Sequence, residues 1–256
     1  MDNIFGNRKI AFKALVGSHN YNLNDETSDR DYKFFVMPSF DDLYDSKYFS
    51  LPSQVSEELD FDVHDFRKLP QLFYKGNINF LEVLFSTEVV FIQQSNHYID
   101  TSIGIVKGIL DELFSMRDKI AQMNLPYLYH ACKGMHYNKM SFLYKGTKGT
   151  MPLVKQFGYD TKQALHAYRV LDFIIRLYDC QYNFRQAMYY EGIDREFMLA
   201  IKRGAFTDKE FQLIVGEKME KFLTLQEVYD NIATDEETHF DIKRLVKEAV
   251  KSHLTS

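Results

Sequence analysis

Residues 10–37 read IAFKALVGSHNYNLNDETSDRDYKFFVM, and their punctuation decides how the chain begins to fold. Ile10 to Val16 is an apolar, β-prone run that reads as a strand entering a Gly17-Ser18 turn. Tyr32 to Met37 reads as a second strand, stopped by Pro38. The polar connection between them ends in two aspartates, Asp29 and Asp31, placed at the start of the second strand. Residues i and i+2 of a strand point the same way, about 6–7 Å apart at Cα. Two carboxylates so placed repel each other unless cations sit between them. A pair of Mg2+ ions about 3.5–4 Å apart suits that spacing, and Mg2+ binds through a few carboxylates together with phosphate oxygens. Gly17 lets backbone approach a ligand closely, and Ser18 adds a hydroxyl donor. A short helix starting at Ser18 would turn free N–H groups toward a triphosphate.

Working outward, Val55 to Phe66 (VSEELDFDVHDF) alternates with period two. Leu59, Phe61 and Val63 fall on one face, and Glu58, Asp60, Asp62 and His64 on the other. A metal site of this kind needs a third carboxylate. Asp60 and Asp62 both qualify if this strand lies beside the second. An isolated Asp-x-Asp is usually a solvated strand end; the composite of Gly-Ser turn, acid pair and acid-lined strand is what carries weight. Pro38 to Ser53 reads as a loop with one helical turn, and a helix is expected from Asp65 to Tyr74, ending at Gly76.

Of the 256 residues 45% are hydrophobic, enough for a real core. A formal net charge of −5 excludes a general nucleic-acid coat but leaves room for a local basic site. The start, MDNIFGNRKI, lacks the apolar run of a signal peptide, and no window approaches the ~20 apolar residues of a membrane span. Cys132 and Cys180 are too few for a disulfide framework; both are expected reduced and buried in a cytoplasmic protein.

After about residue 97 the pattern turns helical, so the expected division is an α+β domain over 1–96, a small mixed sheet with helices, and a helical domain over 97–256. Leu165, Tyr168, Leu171, Asp172 and Ile175 keep a 3.6 spacing with one polar exception. Thr207–Glu210 and Thr234–Glu237 have capping-box form and are expected to open two closing helices. Tyr144 to Asp160 reads as a basic loop carrying Lys145, Lys148 and Lys155. Lys162, His166 and Arg169, spaced i, i+4, i+7, line one helix face. That stripe reads either as a solvated basic face or as a phosphate contact. His130 and His136 fall on nearly opposite helix faces, and His64, Arg67, Lys68 and Glu82 read as structural or solvated side chains.

Gly17-Ser18-His19-Asn20-Tyr21-Asn22-Leu23 followed by Thr27-Ser28-Asp29-Arg30-Asp31-Tyr32 resembles the signature of the DNA polymerase β-type nucleotidyltransferase superfamily, and within it the bacterial and phage RlaP-like branch. The resemblance continues in Asp60-Phe61-Asp62-Val63-His64-Asp65, in Lys75-Gly76-Asn77 with Glu82 and Leu84, and in Gly158-Tyr159-Asp160-Thr161-Lys162 with His166 and Arg169. Asn20 and Asn22 stand where the branch has Ala and Gly, and Ile78 where it has Pro. Asn tolerates left-handed backbone, so Asn22 is expected to keep the turn.

The resemblance implies that Asp29 and Asp31 bind two divalent cations, Mg2+ or Mn2+, with Asp60, or its rival Asp62, as the third acid. It implies that Gly17 and Ser18 meet the phosphates of an NTP such as ATP, and that Lys162, His166 and Arg169 lie over the triphosphate. The implied reaction moves an NMP to a hydroxyl on an RNA 3′ end, a protein or a small molecule, and releases pyrophosphate. The alternatives are an inactive nucleotide-binding or partner-neutralising module of the same fold, and an acid-metal nuclease.

Overall fold

The computed structural model describes residues 4–6, 8–26, 28–55, 60–91, 101–147 and 149–255. The chain forms two compact units: residues 1–20, 25–123 and 235–256 make the first, and residues 21–24 and 124–234 the second. The expected break near residue 96 lies outside the described residues.

The first unit is built on a mixed sheet of β1 (Ile10–Val16), β2 (Asp31–Val36), β3 (Ser50–Val55), β4 (Asp60–Asp65) and β5 (Val89–Phe91). Their spatial order is β3-β4-β2-β1-β5. β2 and β4 run parallel, and every other neighbouring pair is antiparallel. Period-two alternation divides the sheet into two faces. Leu15, Tyr32, Phe34, Val36, Phe61 and Val63 form a buried cluster on one face with Phe5. On the other, Phe12 stacks on Phe35 with ring centroids 4.6 Å apart, and Phe114 packs edge-on at 5.3 Å.

Helices α1 (Phe40–Tyr44), α2 (Leu69–Tyr74), α3 (Ile78–Leu81), α4 (Thr101–Ser115) and α5 (Arg117–Gln122) complete the first pass through this unit. In the second unit lie α6 (Leu125–Ser141), α7 (Met151–Phe157), α8 (Thr161–Asp179), α9 (Phe184–Met188), α10 (Gly192–Lys202), α11 (Asp208–Thr224) and α12 (Gln226–Asp230). The chain then returns to the first unit as α13 (Glu236–Leu254), which packs on α4 and α2. No described helix is long and apolar enough to cross a membrane.

Several expectations need correction. The strand expected from Val55 belongs to two strands: β3 and β4 pair antiparallel with Val55 opposite Asp60, and Glu58 and Leu59 lie outside the described residues. β3 occupies part of the stretch expected as loop, where Pro52 and serines hid its alternation. The basic loop contains α7, whose signals were present: Pro152 in its first turn and Gly158 in left-handed conformation (φ 84°) at its end. Lys148 lies outside the described residues. Thr207 and Glu210 do form a capping box, whereas the last helix is capped by Asp235, which accepts from the N–H of Thr238. Cys132 is buried, but Cys180 is only half-buried.

One buried pair gives the first unit a pH signature. Asp42 accepts from Arg8 Nε at 2.7 Å and from the Ser39 N–H at 2.9 Å. The Arg8 guanidinium holds its carboxyl down, from 3.8 to about 2. A lowered folded pKa stabilises above the ordinary value, and that stability is lost as pH falls through the folded value. Urea unfolding of the protein and of Asp42→Asn should therefore differ by about 2 kcal/mol near neutrality. The gap should close as pH falls from 3.8 to about 2.

Candidate active site

The register of β2 on β4 sets the acids in rows across the helix-covered face. Asp31 stands opposite Asp60, Lys33 opposite Asp62, and Phe35 opposite His64. The antiparallel β1 continues these rows with Val16 beside Asp31 and Ala14 beside Lys33. Asp31 and Asp60 are thus neighbours at the strand starts, next to the end of β1 where the chain enters the Gly17 turn. Asp29 precedes β2, so the two aspartates do not occupy i and i+2 of one strand as the spacing suggested. It nevertheless approaches Asp31, because its charge and that of Asp60 both act on the Asp31 carboxyl.

Burial first, then Asp60, then Asp29 push the Asp31 pKa above the ordinary aspartate value; Lys33 and His19 act in the opposite sense. Among the described residues, Asp29, Asp31 and Asp60 make no side-chain hydrogen bond or ion pair, so the repulsion at half-buried Asp31 is offset only from a distance, by Lys33 and His19. Asp62 differs. Lys33 Nζ lies 2.6 Å from its Oδ2 and His64 Nε2 3.2 Å from the same atom. Despite opposing burial, these partners hold the Asp62 pKa below its ordinary value. Lys33 escaped the sequence reading, although period-two alternation from Asp31 places it on the acid face. His64 packs between Phe35 and Phe80, in line with the structural role expected for it.

The turn above the acids is held by Glu82, only 3% exposed. Its Oε2 accepts from the Gly17 N–H at 3.1 Å, and its carbonyl accepts from Asn20 Nδ2 at 3.0 Å. Asn20 Oδ1 in turn accepts from the Thr87 N–H at 3.3 Å. Gly17 has φ +70°, and a Cβ there would sit 2.7 Å from Asp31 Oδ2. The turn is a three-residue 3-10 segment, Gly17–His19, rather than a longer helix opening at Ser18. The N–H of Gly17 is already donated, and Ser18 stays half-buried at the turn. Asn22 takes φ 58°, the left-handed backbone expected of it. Replacing Glu82 with Ala strands the Gly17 N–H, while the Asn20 amide keeps its bond to the backbone carbonyl of residue 82. It should cost about 2–3 kcal/mol in chemical unfolding.

A divalent cation would be matched here by the chemistry of the donors: carboxylate oxygens without cationic partners, two in register and a third beside them. Among the described residues, however, no three or more His, Cys, Asp or Glu side chains already converge as a metal cage. The donor set fits a hard cation that also draws ligands from a phosphate group.

Lys162, His166 and Arg169 lie in the second unit, all on α8. The stripe runs from exposed Lys162 through half-buried His166 to buried Arg169, so it is not a solvated face. His130 pairs with Asp230 at 2.7 Å, and buried His136 donates from Nδ1 to the Ala167 carbonyl at 2.9 Å. Arg67 is bound to Asp65 rather than solvated. Asp172, the polar exception on α8, is explained by Lys218 at 2.7 Å and the Tyr190 hydroxyl at 3.1 Å.

A mixed sheet with a glycine turn over in-register aspartates is the arrangement of a nucleotidyltransferase domain, and comparison with known families agrees. Residues 3–171 match the family described as RlaP: RNA repair pathway DNA polymerase beta family. The match takes in more than half of the chain, and the chain belongs to that family. It carries a polymerase β-family nucleotidyltransferase domain of the RNA repair pathway. The family is typically dependent on divalent metal, and membership implies a nucleotide substrate. A comparison with curated proteins returns no match.

Proposed function

We propose that the protein transfers a nucleoside monophosphate from an NTP to the 3′ hydroxyl of RNA. The observation that carries this reading is the in-register Asp31–Asp60 pair beside the Gly17 turn, with no ion-paired cation among the described residues. Asp29, Asp31 and Asp60 would hold Mg2+ or Mn2+. Bound there, the divalent charge would screen the carboxylates from each other and from the phosphates, and stabilise negative charge developing on the reacting oxygens. Asp60 takes the third-acid role in preference to Asp62, whose charge is already met by Lys33 and His64. An Asp60 oxygen would accept the proton of the attacking hydroxyl. A bond forms from that hydroxyl oxygen to the α-phosphorus, the bond from the α-phosphorus to the bridging oxygen breaks, and pyrophosphate leaves. The Ser18 hydroxyl is the side-chain donor offered to the phosphates at the turn. An RNA acceptor is favoured over a protein or a small molecule by the family's place in RNA repair.

The test incubates the protein with each labelled NTP, Mg2+ or Mn2+, and RNA ending in either a free or a blocked 3′ hydroxyl. Label should enter only the free-ended RNA, with matching pyrophosphate, and Asp29→Ala and Asp31→Ala should each lower the rate by ~10²–10³-fold. Transfer unchanged in both variants removes their assigned roles. NTP binding with no product after long incubation means a binding module, and RNA cleavage without NTP means a nuclease.

A further inference from the structure

Exposed aromatic side chains gather at one place on the first unit. Phe40 and Tyr44, one turn apart on α1, are 69% and 79% exposed and stack with ring centroids 6.2 Å apart. Tyr48, also exposed, lies just beyond α1 with two cations against its ring, the Arg67 guanidinium at 4.5 Å and Lys68 Nζ at 5.4 Å. The backbone on either side of that ring is pinned. Arg67 donates to the Lys47 carbonyl, and the Phe49 N–H donates to buried Asp65 at 3.2 Å. Rings held out in water on a fixed backbone are a preorganised stacking surface.

The same place carries positive charge. A groove of about 320 Å³ opens between α1, α2 and α13. Leu43, Pro70, Val246 and Val250 give it apolar walls, and Arg67, Lys243 and Lys247 cationic ones. Phe240, Lys243, Lys247 and Val250 recur at i, i+3, i+7 and i+10 and so share one face of α13, with Phe240 exposed. Arg67 is paired with Asp65 at 2.6 Å, so the free charge comes from lysines. Among the described residues Lys68, Lys243 and Lys247 form no ion pair. The acids beside the last two are committed elsewhere, since Asp241 and Glu248 both face Arg244 at 3.5 Å. Asp42 is held by Arg8, and Asp45 by Lys47 at 2.8 Å; Asp41 is exposed and unpaired among the described residues.

We propose that this face of the first unit binds a single-stranded segment of the RNA acceptor, away from its reacting 3′ end. Bases stack on Tyr48 and on the Phe40–Tyr44 pair, apolar base surface enters the groove, and backbone phosphates meet Lys68, Lys243 and Lys247. Bases and phosphates alternate along RNA as rings and unpaired lysines do here; an acidic peptide answers only the lysines. The length of β4, about 17 Å, separates Asp60 from the Asp65 that holds Arg67, so this surface is distinct from the acid pair. RNA as the polymer rests on the nucleotidyl-transfer reading; the stacking surface itself does not.

Fluorescence anisotropy of the full chain in EDTA, with a short dye-labelled oligoadenylate whose 3′ hydroxyl is blocked, reads binding without turnover. The oligomer should bind. Tyr48→Ala, and Phe40→Ala with Tyr44→Ala, should each weaken it about 5-fold or more. Lys243→Ala with Lys247→Ala should lower the slope of log affinity against log salt by about 1.4, the share of two phosphate contacts on a single strand. These side chains are exposed, and circular dichroism confirms that each variant folds. An oligomer of equal length without bases should lose most of the affinity. Binding unchanged in all three variants, equal affinity for the abasic oligomer, or tighter binding of an alternating Glu-Leu peptide each overturns the proposal. So does a dimer in sedimentation that Phe40→Ala with Tyr44→Ala splits, which gives the face to a second copy. No arm uses an NTP or a metal, so failure here leaves nucleotidyl transfer standing.

Discussion

Asp31→Asn is expected to melt at a higher temperature than the parent protein while losing nucleotidyl transfer by ~10²–10³-fold. The two effects share one cause. The Asp31 carboxyl is half-buried against Asp60 and Asp29, and its pKa is raised. An acid whose folded pKa is raised favours folding below the ordinary value and loses that contribution as pH rises through the folded value. At neutral pH the ionised Asp31 therefore costs stability, and the neutral amide removes that cost. The gain should appear as a melting temperature above the parent's at neutral pH. It should vanish below the ordinary aspartate value of 3.8, where the parent carboxyl is protonated too. Differential scanning fluorimetry across pH reads the sign directly. Mn2+ should raise the parent's melting temperature and leave the variant's nearly unchanged, because only a ligand of the folded state stabilises. A variant less stable than the parent at pH 7 would show that Asp31 is a structural acid.

Gly17→Ala should be nearly as damaging to activity with the opposite effect on stability. The φ of +70° alone makes any side chain unfavourable, at about 1–2 kcal/mol. The added Cβ also falls 2.7 Å from Asp31 Oδ2, so either the carboxylate or the turn must shift. The turn is tied to Glu82 through the Gly17 N–H and the Asn20 side chain, which makes the carboxylate the easier group to displace. Transfer should fall ~10²-fold, with the double variant Gly17→Ala, Asp31→Asn hardly slower than either single variant. That non-additivity is the check, because two substitutions acting on one carboxylate cannot both exact their full cost. Multiplicative losses would mean that Gly17 acts on something other than Asp31.

Local pattern by itself determined a good deal. β1 and β2 were legible to within a residue because apolar alternation, a glycine and a proline all punctuate the same segment. The two faces of β4 followed from period two, and the long run of α8 from its 3.6 spacing. The acids were legible as a composite, and their resemblance to a known family led to the family that the chain matches. β3 and α7 were missed because short elements carry few periods to read.

Only the tertiary structure could separate Asp60 from Asp62. The two share one face of one strand and are equivalent by spacing; parallel pairing with β2 sets one against Asp31 and the other against Lys33. Glu82, more than sixty residues from Gly17, and the lysines of α13 that share a groove with Leu43 likewise meet their partners only when helices and strands pack. A sequence pattern fixes the direction in which a side chain points. What that side chain meets, and so whether its charge is satisfied or left waiting, depends on register and packing between segments far apart in the chain.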